Sequence, residues 1–395
     1  MKRLLAFFGT CILLMLISAC RIALTATPTP MPTPTTTPTV TLTPTTTLTP
    51  TPTGTATPGL SAFGGPPLIE LQMFDLMRGW ALTENQVLIT NNGGISWAQV
   101  PLPSIVYNPV ITTVFIDKDI AYFLVPGADN LPGHILATRD GGANWQITET
   151  PFSNAQLHFS NDNIGFAMQT LSTVDDVMTV AIYQTLDRGA HWEQVFIHTA
   201  DQGDTNLPVT GIKTGMAFID SSQGFIGLRD QTNDVGLYHA LDAGRNWEKQ
   251  ELPLPENLSS DYQTTVFPPF FLPQNGTNGF LPVDFKVADD TVRVFYRTDD
   301  AGVTWQQGQA IPTGSAYFFI DAKNGWAWGG QALYITNDGA ETWHQSPVGF
   351  SRNEYAKIID FVDTQNGWLL TLDAKNVLRM YRSNDGGSTW TAFIN

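Results

Sequence analysis

Seven times along this chain an Asp or Asn stands five residues before a Trp: Asn92 and Trp97, Asp140 and Trp145, Asp187 and Trp192, Asp242 and Trp247, Asp300 and Trp305, Asp338 and Trp343, Asp385 and Trp390. Carboxylates could do acid–base work or hold a cation, and exposed indoles could stack on sugar rings. The regular spacing favours a structural role. Each pair lies in an eight-residue segment that opens with Thr, Ser or Ala and carries Gly at the fifth place, except for Ala340. An Asp at the third place accepts hydrogen bonds from backbone N–H groups of its own turn. Gly at the fifth supplies the positive φ of a tight hairpin. Trp at the eighth begins the returning strand and can lay its ring over the turn. Turn formation accounts for these residues, so none is assigned to catalysis or to a metal. Asn92 keeps an acceptor oxygen; Ala340 should strain its hairpin or change the turn type.

The elements that hold these hairpins repeat too. The intervals between the seven Trp residues are 48, 47, 55, 58, 38 and 47 residues. A second signature, Asp or Asn followed four residues later by Gly and an aromatic, precedes most of the hairpins. It occurs at Asp75 with Gly79-Trp80, Asn161 with Gly165-Phe166, Asp220 with Gly224-Phe225, Asn275 with Gly279-Phe280, Asp321 with Gly325-Trp326, and Asp363 with Gly367-Trp368. The second repeat keeps register with Ala121-Tyr122 after Asp117. Each unit therefore reads as four short strands, the size of a propeller blade. The expected fold class is all-β, a single seven-bladed β-propeller over residues 61–395, closed by packing between the first and last blades. The hairpin pattern resembles the Asp-box, or bacterial neuraminidase repeat. Combined with the Gly-aromatic signature, it is most similar to the photosystem II stability/assembly-factor-like propellers. That resemblance implies the scaffold; the basic patch that photosynthetic members are thought to use for their client has no counterpart cluster here.

Few residues remain for a specific site. Trp80, Trp326 and Trp368 fall at repeated positions expected in the core between blades, whereas Trp328 falls outside both signatures and is a candidate for stacking on a ligand. The long fourth-to-fifth interval holds Val266 to Pro273, with Phe267, Phe270 and Phe271 between prolines. Two readings stay open for it: an exposed partner-binding patch, or an irregular inner strand tucked into the hub. The stretch from Thr199 to Asn206 is a second loop candidate. Sialidases of this fold, as the resemblance implies, need an arginine triad and a Phe-Arg-Ile-Pro segment. That tetrapeptide is absent, and Arg139, Arg188 and Arg245 lie within the hairpins while Arg297 and Arg382 flank them. Related xyloglucanases place two carboxylates between two propellers, and one propeller is expected here. Six scattered histidines and the lack of a phosphate-binding loop give no support to a metal or other cofactor.

Charge narrows the partners. Thirty-six Asp and Glu against 20 Lys and Arg give a net charge of −16, which repels phosphate backbones, so nucleic acid is not expected. Residues 1–19 read as a signal peptide: basic Lys2-Arg3, then an apolar run to Ile17. Ile17-Ser18-Ala19-Cys20 resembles the bacterial lipobox, which implies that Cys20 is lipidated and holds the protein at a membrane through its N-terminus. Residues 20–60 are rich in Thr and Pro and form an extended stalk, at about 3.1 Å per residue where polyproline-like. The expected function is a monomeric, extracytoplasmic, lipid-anchored module that binds a protein or glycan at the cell surface without catalysis. The alternative is a secreted, sialidase-like glycoside hydrolase.

Overall fold

The computed structural model describes residues 67–104, 112–128, 131–199, 206–230, 233–256, 258–273, 276–346 and 354–393. All belong to the second of two compact units, Thr57–Asn395. The expected signal peptide, Cys20, the expected Thr/Pro stalk, Asn275 and most of the stretch between Thr199 and Asn206 lie outside the described residues.

Runs of β-branched and aromatic residues punctuated by Asp, Asn and Gly give strands and tight turns, and no α-helix occurs among the described residues. The first repeat comprises β1 (Glu70–Met73), β2 (Gly79–Leu82), β3 (Val87–Thr90) and β4 (Ala98–Gln99). The second comprises β5 (Thr112–Phe115), β6 (Ala121–Val125), β7 (His134–Thr138) and β8 (Gln146–Glu149). The third holds β9 (Gln156–Phe159), β10 (Gly165–Val174), β11 (Val177–Thr185) and β12 (Glu193–His198). The fourth holds β13 (Ile212–Phe218), β14 (Gly224–Asp230), β15 (Leu237–Ala240) and β16 (Glu248–Lys249). In the fifth, β17 (Gln263–Val266) and β18 (Phe270–Phe271) precede β19 (Gly279–Val287), β20 (Asp290–Thr298), β21 (Gln306–Gln307) and β22 (Ile311–Pro312). The sixth has β23 (Tyr317–Phe319), β24 (Gly325–Gly329), β25 (Ala332–Thr336) and β26 (His344–Gln345). The last has β27 (Glu354–Phe361), β28 (Gly367–Asp373), β29 (Leu378–Ser383) and β30 (Thr391–Ala392).

Five repeats form separate four-stranded antiparallel sheets. The fourth and fifth share one ten-stranded sheet, because β17 pairs with the outer end of β14 as well as with β19. The Phe267–Pro269 segment interrupts the first strand of the fifth repeat. Val266 pairs with Val283, and pairing resumes with Phe270 opposite Phe280, one residue out of step. Pro lacks the N–H that a ladder needs, so the chain bulges there.

The core lies between sheets. In every repeat but the second, where Ala121 takes the place of Gly, the first strand ends in a large side chain that covers the Gly opening the second strand: a Cβ on Gly79 would come within 2.4 Å of Met73 Sδ, and one on Gly367 within 2.4 Å of the Phe361 ring. In five repeats the aromatic at the next position stacks on the first strand of the following repeat. Ring centroids are 5.6 Å apart for Trp80 and Phe115, 3.8 Å for Tyr122 and Phe159, 3.4 Å for Phe166 and Phe218, 3.8 Å for Phe280 and Phe319, and 3.5 Å for Trp326 and Phe361. In the last repeat Trp368, Leu370 and Met380 share one apolar cluster with Leu68, Leu71 and Met73 of the first. Trp368 Nε1–H donates to the Gly93 carbonyl over 2.9 Å, and the Met73 N–H donates to Asp360. First and last repeats therefore meet by packing and hydrogen bonds, with no strand exchanged between their sheets.

Candidate functional site

The seven recurrent acidic or amide side chains are fully engaged in their own turns. Oδ1 of Asn92, Asp140, Asp187, Asp242, Asp300, Asp338 and Asp385 accepts the backbone N–H four residues on, at 2.8–2.9 Å. The second carboxylate oxygen takes the side chain of that same residue, as in Thr304 Oγ1 to Asp300 at 2.7 Å and Asn144 Nδ2 to Asp140 at 2.8 Å. These donors favour the ionised form. The Thr304 N–H and hydroxyl hold Asp300 below the ordinary carboxylate range, and Asn144 does the same for Asp140. At Asp385 burial pushes upward, but bonds from Thr389 outweigh it. A general acid needs the opposite shift.

Positive φ is required at two places in each turn. The fourth and fifth residues are both left-handed, for example Arg188 at 67° and Gly189 at 78°, or Ala301 at 61° and Gly302 at 82°. Ala340 keeps this conformation at φ 69°, so the sixth hairpin retains its turn type with an alanine in a strained region. The hairpin tryptophans lie against the fifth residue: Trp145 Cζ2 is 3.5 Å from a Cβ placed on Gly142. Trp247, Trp305 and Trp343 are buried, while Trp97, Trp145, Trp192 and Trp390 are half-buried. The rings of Trp145, Trp192, Trp247, Trp305, Trp343 and Trp390 meet core phenylalanines edge-on or tilted, as Trp192 does Phe152 and Trp390 does Phe361.

Trp328 is 2% exposed and belongs to the apolar cluster of Trp326, Leu333 and Tyr381, so its ring offers no face to a sugar. Phe270 stacks on Phe280 and Tyr317 at 5.7 and 5.8 Å, and Phe271 lies 5.6 Å from Phe225. Phe267 covers the guanidinium of Arg293 at 4.8 Å, with Tyr317 at 5.4 Å. Arg293 also grips Asp284 with two bonds of 2.7 and 2.9 Å and donates to the Gly314 carbonyl. Of the two readings of this stretch, the arrangement is that of an irregular inner strand. Its phenylalanines serve the seams on either side of the fifth repeat.

Sequence reasoning passed over several buried polar groups in or beside the first strands. Glu70 accepts from Thr113 of the next repeat, and burial raises its pKa. Lys213 is buried, its ammonium donating to the carbonyls of Met178, Pro208, Val209 and Gly211 at 2.5–3.2 Å; burial lowers its pKa to about 8. Glu354 takes Arg379 at 2.8 Å, and Arg379 also reaches Asp373 at 3.1 Å. Asp360, wholly enclosed, has its pKa pushed up to about 7 by burial, against the bonds from the Met73 and Phe361 N–H groups. The only legible signal was that each is a charged residue inside a strand-like run. These groups tie strand to strand and connector to strand.

Open surface with room for a ligand occurs between the second and third repeats. A cleft of about 560 Å³ is bounded by Thr112, Ser153, Asn154, Gln156, Gln169 and Leu171, among others. Beside it the β10–β11 hairpin projects with Thr170 to Asp176 exposed. A second cleft of about 470 Å³ sits at the hairpin turns of the fifth and sixth repeats, where Arg297, Lys323, Asp338 and Glu341 mix both signs of charge. Among the described residues no cluster of His, Cys, Asp and Glu is arranged to hold a metal ion.

Closed antiparallel repeats of this kind, packed side by side with aromatic seams, define a β-propeller. Solved structures agree: the chain is similar to YCF48 from Cyanidioschyzon merolae, with 17% identity, a TM-score of 0.53, and coverage of 80% of this chain and 94% of that one. It is likewise similar to YCF48 bound to D1 peptide, at 16% identity and a TM-score of 0.50, covering 82% and 94%. An ancestral GH74 enzyme matches at 12% identity and a TM-score of 0.50, but this chain spans only 47% of its length. No family model matches the sequence, and no curated protein does. The protein is thus a β-propeller similar to YCF48-like proteins.

Proposed function

We propose that this protein is a seven-bladed propeller, tethered outside the bacterial cytoplasm by a lipid on Cys20, that binds protein or peptide without catalysis. The blade count rests on dividing the ten-stranded sheet at the β14–β17 contact. Two blades there and five separate sheets make seven, in line with the seven hairpins, which we read as Asp-boxes. The Thr/Pro segment serves as a stalk lifting the ring away from the membrane.

One observation carries the binding role. The recurrent Asp, Gly and Trp residues are consumed by turn and seam contacts, which leaves the connecting loops and the projecting β10–β11 hairpin as free surface on a rigid frame. The similarity to YCF48, which has been seen bound to D1 peptide, agrees with recognition of a polypeptide. Capture of envelope proteins by the full chain, with no turnover of sialyl or xyloglucan substrates above background, is the expected result. Turnover would move the assignment to a glycoside hydrolase, and binding confined to a glycan array would replace peptide by sugar.

A further inference from the structure

The β10–β11 hairpin is longer than its partner β9 can cover. β9 pairs Gln156 to Phe159 with Met168 to Gly165 and stops. It cannot extend backwards, because the preceding connector is fastened to the second repeat. There Gly133 N–H donates to the Phe152 carbonyl at 2.8 Å, Gly127 N–H to that of Ser153 at 3.0 Å, and Thr112 Oγ1 to that of Ala155 at 2.9 Å. Beyond Met168, β10 pairs with β11 alone, up to Val174 opposite Val177, with a bulge at Leu171. Among the described residues no strand meets its other edge.

That edge has one usual defence, the bulge at Leu171, but no charge or proline along it. Thr170-Leu171-Ser172-Thr173-Val174 includes the β-prone Thr170, Thr173 and Val174, and leaves Leu171 40% and Val174 64% exposed. The uncharged cleft of Thr112, Ser153, Asn154 and Gln156 runs on from it. Elsewhere this fold completes a bare strand end by adding a strand: β17 joins the outer end of β14, Thr265 opposite Arg229. The tip of the hairpin carries Asp175 and Asp176, both exposed, on a chain of net charge −16.

We propose that the outer half of β10 is a strand-addition site for an extended peptide running antiparallel to it. The peptide's amino-terminal Lys or Arg sits at Asp175 and Asp176, and its carboxy-terminal part enters the cleft beside Gln156. Backbone hydrogen bonds supply the affinity and the acidic tip sets the direction. The site rests on the peptide-binding reading and gives it a location.

The probe is a fluorescein-labelled Lys-Lys-Thr-Val-Thr-Val-Thr peptide, titrated into the full-length protein and followed by anisotropy. Saturable binding is expected, weakened at least tenfold by L171K/V174K and at least threefold by D175N/D176N. V303K, at another exposed apolar residue, should leave it unchanged. N-methylation of alternate peptide residues should abolish binding without any change to the protein, so loss through misfolding is separable. Binding that ignores both the β10 substitutions and N-methylation overturns this site while sparing the peptide-binding reading. Failure of the wild-type protein to bind overturns the proposal, with protein capture remaining the separate test of the wider reading. A dimer dissociated by L171K/V174K assigns the edge to a second copy and also overturns it.

Discussion

At the scale of single residues, backbone conformation decides which positions tolerate change. Ala301 at φ 61° and Gly302 at φ 82° stand side by side in one turn, yet substitutions there should act in opposite senses. An L-residue in the left-handed region costs about 1 kcal/mol or more relative to Gly. Ala301→Gly should therefore raise stability by up to about 1 kcal/mol. Gly302→Ala adds a Cβ within 2.5 Å of the Phe225 ring and should cost at least ~2 kcal/mol, checked by urea denaturation at fixed pH. Equal effects would mean that the turn relaxes around either side chain.

At the scale of the element, the hairpin turn is a hydrogen-bonded unit whose first residue matters as much as its Asp. The opening hydroxyl donates to the Asp or Asn side chain and accepts the N–H of the fifth residue, as Thr298 does between Asp300 and Gly302 at 2.7 and 2.9 Å. Six hairpins have this hydroxyl; the fourth has Ala240, in a buried place like those of its counterparts. Ala240→Thr should add the missing bridge between Asp242 and Gly244 and raise the melting midpoint by the equivalent of about 1 kcal/mol. A drop in the midpoint would show that the apolar cluster around Ala240 has no room for the larger side chain. Asx turns at the other end of the strands work alike: Asp363 Oδ1 accepts from Gln365 and Asn366 at 2.7 Å. Both kinds of turn were legible in the sequence because they depend on neighbours within a few residues.

At the scale of the whole molecule, closure depends on the seam between the first and last repeats, where Asp360 meets the Met73 N–H. Its folded pKa, about 7, lies above that of an unfolded aspartate, so the native state holds the proton more tightly between roughly pH 4 and 7. Stability then falls as pH rises through that window, and the cost is complete above it. Asp360→Asn should be more stable than wild type at pH 8 and lose that advantage toward pH 4. A constant difference across the range would contradict the burial of an ionisable carboxyl at this seam. The proposed anchoring belongs to the same scale: if Cys20 carries a lipid, Cys20→Ala should move the protein from the membrane to the soluble fraction, and continued membrane retention would refute lipidation.

What the sequence determined by itself was the repeating unit: an all-β chain with turns set by Asp, Asn and Gly, and Trp residues serving the core. Such features are local, fixed by spacing within a few residues and by the left-handed φ that Gly accepts. Tertiary structure decided what depends on residues far apart in the chain. It showed why Gly opens six of the second strands, since the large side chain that covers it comes from the preceding strand. It placed Trp328, which fell outside both repeat signatures, inside a seam, and it decided between the two readings of the Phe270 stretch. It also left the outer half of β10 without a second partner strand among the described residues, because the connector that precedes β9 is held by hydrogen bonds to a different repeat.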